Sequence, residues 1–129
     1  MSSPLLLAVD DEMGVRESLK MVFCKEYRLL EAASVEAAIR KVQEERPQVV
    51  LLDILMPKTD GIEILRQIKT IHPSCEVIML TGVNSQQLAA KAMDFGAFDF
   101  IGKPFDVVGL RQKVKKALEN LAQKTQTQH

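Results

Sequence analysis

The sequence predicts an α/β fold, a doubly wound parallel sheet with helices on both faces. Two observations carry this. Five short apolar runs alternate with five amphipathic stretches from end to end, the pattern of parallel strands joined by crossover helices. Four of the five runs are continuous rather than alternating, as strands buried on both faces require. A length of 129 residues suits one compact domain. Its expected bounds are 4–122, with a polar tail over 123–129.

The elements follow in order. Leu5–Val9 is an unbroken apolar run that ends on carboxylates. Val15, Leu19, Val22 and Phe23 then recur at helical spacing. Tyr27 to Leu30 reads as a weaker second strand. Ser34 stands where a helix N-cap belongs, ahead of a stripe of Val35, Ala38, Ile39 and Val42. Val49–Leu52 is the third strand and stops at Asp53. Asp60 is placed to cap a helix that buries Ile64, Leu65 and Ile68. Val77–Leu80 is the fourth strand. Leu88, Ala89, Ala92 and Phe95 form a helical stripe ended by Gly96. Ala97–Ile101 is the fifth strand. The last helix carries Val107, Leu110, Val114, Ala117, Leu118 and Leu121, and the tail after it is expected to fray.

Composition narrows the function. Basic and acidic side chains balance at a net charge of zero, so the basic footprint of a nucleic-acid binder is missing. No apolar run approaches the ~18 residues of a membrane span. The Met-Ser-Ser-Pro start has no basic signal-peptide region, and a cytoplasmic protein is expected. Cys24 and Cys75 lack metal-ligand spacing and read as reduced core thiols. The methionines read as core filler, and His72 and His129 as solvated.

In a parallel sheet the ligand site lies beyond the carboxyl ends of the strands. The first strand ends in Asp10 and Asp11, the third in Asp53, the fourth in Thr81, and the fifth is followed by Lys103. Each alone has an ordinary reading as a cap or turn residue; their convergence on one edge does not. Two like charges roughly 4 Å apart cost about 4 kcal/mol at an effective dielectric near 20. Lys103 offsets one of three carboxylates, leaving a formal −2. Hard oxygen donors with no His or Cys among them favour Mg²⁺, or Mn²⁺, over zinc. An aspartate is a competent nucleophile towards phosphorus, and phosphoryl transfer chiefly needs positioning and charge neutralisation.

Over about Leu5 to Leu121 the chain resembles the response-regulator receiver family of two-component signalling. The strings that carry the resemblance are Val9-Asp10-Asp11-Glu12, Leu52-Asp53-Ile54-Leu55-Met56-Pro57 with Asp60-Gly61, Leu80-Thr81-Gly82, Gly96-Ala97-Phe98-Asp99-Phe100 and Lys103-Pro104-Phe105. The resemblance implies the flavodoxin-like strand order 2-1-3-4-5, for which a receiver protein is itself a standard example. It implies Asp53 as phosphoryl acceptor and Asp10, Asp11, Asp53 and the Leu55 carbonyl as Mg²⁺ ligands, Asp11 the more direct of the acidic pair. Thr81 and Lys103 would bind phosphoryl oxygens, and Thr81 with Phe100 would form the switch. The donor would be a histidine kinase or phosphotransfer protein. The face of the fourth helix, fifth strand and fifth helix would respond, with a phosphorylation-dependent homodimer as one outcome. Such a domain is a switch that catalyses its own phosphorylation and dephosphorylation, not an enzyme acting on others. Leu55 and Val83 are expected to tune phosphoryl lifetime, because two apolar side chains cannot orient a hydrolytic water.

Two other classes fit the same architecture. A flavodoxin-like cofactor binder would want an anion-binding loop after the first strand, where this sequence has Asp10-Asp11-Glu12. An aspartyl-phosphate hydrolase would show steady turnover.

Overall fold

Side-chain alternation along the strands sorts the core into two layers, one on each face of the sheet. The protein, seen in a computed structural model, is described over residues 3–82 and 85–127. The elements are β1 (Leu5–Val9), α1 (Met13–Phe23), β2 (Arg28–Ala32), α2 (Val35–Glu45), β3 (Val49–Asp53), α3 (Gly61–Ile71), β4 (Glu76–Thr81), α4 (Gln86–Asp94), β5 (Asp99–Gly102) and α5 (Val107–Thr127). The five strands are parallel in the order β2-β1-β3-β4-β5, the expected order. Successive residues of a strand point to opposite faces. Leu7, Val9, Val50, Leu52, Val77 and Met79 pack with Ala38, Val42, Ile64, Leu65, Ile68, Ala89 and Ala92 of α2, α3 and α4. Leu6, Ala8, Val49, Leu51, Ile78 and Leu80 pack with Leu19, Phe23, Leu110, Val114 and Ala117 of α1 and α5.

Capping follows the sequence where a free hydroxyl or carboxylate is available. Ser34 Oγ accepts the Ala37 N–H at 3.2 Å, and Asp60 Oδ1 accepts the Ile62 N–H at 2.9 Å. Gly61 allows α3 to start hard against β3: a Cβ there would lie 2.4 Å from the Ile54 carbonyl oxygen.

Several expectations are corrected. β2 begins at Arg28 rather than Tyr27, because the Tyr27 N–H is taken by the Phe23 carbonyl at the end of α1. β5 begins at Asp99, two residues late; the Phe98 N–H already bonds to Val77, but the ladder pairs from Asp99. The helix α5 runs to Thr127, into the stretch 123–129 expected as a polar tail. Asn120 and Lys124, on the later turns of α5, both reach the buried carboxylate of Glu76. Cys24 is exposed; only Cys75 is a core thiol, and burial pushes it up to about 11. Met56 and Met79 are buried, but Met13, Met21 and Met93 are exposed. Phe95 is partly exposed too, beneath the Arg66 guanidinium. His72 is half-buried rather than solvated, with Nε2 2.9 Å from the Pro47 carbonyl oxygen. His129 and Met1 lie outside the described residues.

Candidate phosphoryl-acceptor site

The parallel register brings the three central strand ends level. Val9 pairs with Leu52, and Asp53 with Leu80. Asp10 follows β1 directly, its N–H bonded to the Ala32 carbonyl. Lys103 is anchored beside β4 by its N–H to the Thr81 carbonyl at 2.8 Å. Its peptide bond to Pro104 is cis.

Asp10 is fully buried and Asp53 is 5% exposed. The Lys103 ammonium lies between them, 2.8 Å from Asp10 Oδ2 and 3.6 Å from Asp53 Oδ2, with Glu12 Oε1 at 3.9 Å. Asp53 Oδ1 accepts the Leu55 N–H at 3.0 Å. Asp10 Oδ1 accepts the Glu12 N–H at 2.9 Å. Burial raises the Asp53 carboxyl above its ordinary range. The Leu55 N–H and Lys103 oppose this, while the charges of Asp10 and Asp11 add to it. Burial alone would lower Lys103, but its bond to Asp10 and the charges of Asp53, Asp10 and Glu12 outweigh that and raise it. The ammonium is therefore firmly protonated at neutral pH.

The carboxylates of Asp10, Asp11 and Glu12 offer oxygens within 4.8 Å of one another. Sequence reasoning did not single out Glu12 as part of the site; its only signal was its place beside the acidic pair. Counting it, four carboxylates stand at this edge against the one Lys103 ammonium, which pairs with Asp10, Glu12 and Asp53 and not Asp11, a formal −3. All donors are hard oxygens, and an excess of negative charge already perturbs Asp53, so the residues present fit a divalent cation such as Mg²⁺. Arg16 was also missed. Its Nη1 donates to the Asp10 carbonyl at 2.7 Å and its Nε to Glu31 at 3.3 Å, bracing the loop after β1.

Thr81 closes the edge at the end of β4. It is buried, and its hydroxyl lies 2.7 Å from that of Ser85, a residue without any sequence signal for a role here. Phe100 pairs with Met79 and packs half-buried against the core on the α4 face. Leu55, in the loop after β3, is 58% exposed. Val83 lies outside the described residues. A cavity of about 550 Å³ opens at the opposite edge, lined by Arg46, His72, Cys75 and Leu118 among others, and plays no part in this cluster.

Residues 6–115 match the response regulator receiver domain family. The chain belongs to that family. It is 40% identical over 119 residues to the sporulation initiation phosphotransferase F of Bacillus subtilis, covering 92% of this chain and 96% of that one. The chemotaxis protein CheY of Listeria monocytogenes is 39% identical over 114 residues, covering 87% and 96%. Among solved structures, a CheY-like receiver domain protein of Methanospirillum hungatei superposes with a TM-score of 0.89 at 27% identity, over 95% of this chain and 99% of that one. The receiver domain of NtrX from Brucella abortus gives 0.84 at 32%, over 88% and 98%; against a longer NtrX structure this chain spans 29% of that protein. Receiver domains accept a phosphoryl group in two-component signalling, act as switches rather than classical enzymes, and work with kinases or phosphotransfer partners. No helix among the described residues is long and apolar enough to cross a membrane.

Proposed function

We propose that Asp53 takes a phosphoryl group from a phosphohistidine on a cytoplasmic kinase or phosphotransfer protein. The observation that carries this is the Lys103 ammonium held between buried Asp10 and Asp53. An Asp53 carboxylate oxygen forms the bond to phosphorus while the donor's phosphorus–nitrogen bond breaks, its electron pair returning to the imidazole. The Leu55 N–H orients the carboxylate. Burial and the neighbouring acids destabilise its charge, which favours a state in which that charge is shared with the incoming group. Lys103 donates to a phosphoryl oxygen, and Thr81, at the next strand end, donates to another.

Asp10, Asp11, Asp53 and the Leu55 carbonyl would hold Mg²⁺, Glu12 adding charge nearby. When bound, the cation neutralises the approaching phosphoryl oxygens. The receiver unit is taken as 4–122, with α5 continuing past it. Thr81 and Phe100 link the acceptor to the face of α4, β5 and α5, where a partner or a second copy would read the phosphorylated state.

The test is labelling with acetyl phosphate and Mg²⁺ and mapping of the site by mass spectrometry. Label is expected on Asp53 only; full labelling of Asp53→Asn would overturn the assignment. Continuous release of inorganic phosphate far beyond one equivalent, at a rate exceeding decay of the phosphoprotein, would favour a hydrolase instead. A flavodoxin-like cofactor role has no support at the loop after β1, where three carboxylates converge.

A further inference from the structure

We propose that Ser85 is a positioning residue that couples the Thr81 hydroxyl to the start of α4. The inference rests on the reading of Thr81 as a phosphoryl-binding group. Ser85 is 3% exposed and sits at the N-cap position of α4, yet its side chain makes no capping hydrogen bond. Its backbone, at φ −119° and ψ 18°, is not the extended conformation of a capping residue. Ser34, in the same position on α2, has φ −142° and ψ 165° and caps.

The Ser85 hydroxyl is turned back into the loop. It lies 2.7 Å from Thr81 Oγ1, accepts the Gly82 N–H at 2.8 Å, and is 3.2 Å from the Gly82 carbonyl. Thr81 Oγ1 is itself 3.0 Å from that carbonyl. Each hydroxyl has one proton to give. Either Thr81 donates to Ser85 while Ser85 donates to Gly82, or Ser85 donates to Thr81 while Thr81 donates to Gly82. In both arrangements the Thr81 proton is committed within the loop. A phosphoryl oxygen only accepts, so Thr81 must withdraw its proton from this ring to bind one.

Ser85 then loses a partner, and the first N–H groups of α4 supply a replacement. Rotation of Ser85 to the extended conformation aims Oγ at the amides of Gln87 or Leu88, as N-caps do. Two hydrogen-bonding arrangements thus alternate, the second with a net loss of about one bond within the protein: Ser85 on Thr81 and Gly82 with α4 uncapped, and Ser85 on α4 with Thr81 on the phosphoryl oxygen. An element with two discrete arrangements is what a switch requires.

The experiment combines acetyl phosphate labelling with amide exchange of α4, with and without beryllofluoride, in full-length protein. Ser85→Ala is expected to label about fivefold faster with unchanged donor half-saturation, the factor that one ordinary net hydrogen bond represents. The gain in protection at Gln87 and Leu88 upon beryllofluoride binding should disappear in this variant. Ser85→Thr should restore both, and Ser85→Cys, which keeps the volume with a weak donor, should behave as Ser85→Ala. In a Thr81→Ala background the rate effect of Ser85→Ala should vanish, which a merely structural role would not produce. An unchanged labelling rate, a retained protection gain, or an equal effect in the Thr81→Ala background would each overturn the inference. If wild type carries no label on Asp53, the reading of the site fails and the inference falls with it. Labelled Asp53 with an inert Ser85 refutes the coupling alone.

Discussion

Replacing Gly61 with alanine tests how tightly the loop between β3 and α3 is built. The new Cβ would stand 2.4 Å from the Ile54 carbonyl oxygen and 2.8 Å from its carbon and Cα. A carbon–oxygen contact is comfortable only at about 3.3 Å or more, so something must move by roughly 0.9 Å. The obstructing atoms are backbone, and Ile54 N–H is tied to the Leu80 carbonyl at 3.0 Å, so β3 cannot yield alone. Overpacking of this kind costs about 1–3 kcal/mol. Alanine recovers at most ~1 kcal/mol of helix propensity, and less at the first residue of a helix. The expected net loss is about 1–2 kcal/mol. It should be read as a lower urea midpoint with an unchanged slope. Because Leu55 orients Asp53 from the same loop, labelling should slow as well. A variant as stable as wild type to within about 0.5 kcal/mol would refute the steric argument.

The other predictions are these. Chelation with EDTA should abolish labelling, and equal labelling with and without chelator would refute the need for a divalent cation. Asp11→Asn should weaken Mg²⁺ binding by calorimetry, yet raise the metal-free melting temperature slightly, because Asp11 adds to the repulsion on Asp53; a lower value would contradict the charge argument. Burial, Arg46 and Lys69 lower His72 below its usual range, against the Pro47 carbonyl, which raises it. The stability this neutral imidazole contributes is therefore present above about pH 6.5 and lost as pH falls through its folded-state value. Wild type should lose more stability than His72→Gln between pH 7.5 and 5, and parallel curves would remove His72 from the account. Leu55→Asn and Val83→Glu should shorten the phosphoryl lifetime several-fold by offering a water a hydrogen bond, measured as decay of labelled protein; unchanged decay would place lifetime control elsewhere.

Physical reasons separate what could be read in the sequence from what could not. The interior strands were legible because both faces are buried, which forces continuous apolar runs such as Val49–Leu52. The edge strands β2 and β5 are half-exposed, carry Arg28, Glu31 and Asp99, and were misplaced by one or two residues. Met13 and Met21 resemble core residues by apolarity alone, yet both are exposed. Each lies two positions from a residue of the α1 stripe, about 200° around the helix, on the solvent side. The acidic edge was legible because topology alone brings strand ends together. Glu12 and Ser85 were not, since a charge in a loop and a serine before a helix have common local roles. The serine is turned away from its helix only in the folded chain, by contacts that its local sequence does not signal.

The distribution of partners around Lys103 also bears on the order in which charges must rearrange. Lys103 is closer to Asp10 than to Asp53, at 2.8 against 3.6 Å. Both Asp10 oxygens are occupied, one by Lys103 and one by the Glu12 N–H. If Lys103 swings to a phosphoryl group on Asp53, Asp10 is left buried with its charge uncompensated, and an unpaired buried charge costs several kcal/mol. The move is therefore favourable only when another positive charge has taken over Asp10. Asp11 and Glu12, exposed and converging on Asp10, are where a cation can arrive without first displacing Lys103. On this argument Lys103 and the acidic cluster are thermodynamically linked: what neutralises Asp10 loosens Lys103, and what holds Lys103 on Asp10 weakens the cluster for a cation. Lys103→Met should then do two things at once. It should slow labelling by removing a donor to the phosphoryl group, and it should tighten Mg²⁺ binding, measured by calorimetry, by leaving Asp10 in need of a cation. Weaker Mg²⁺ binding in that variant would break the link.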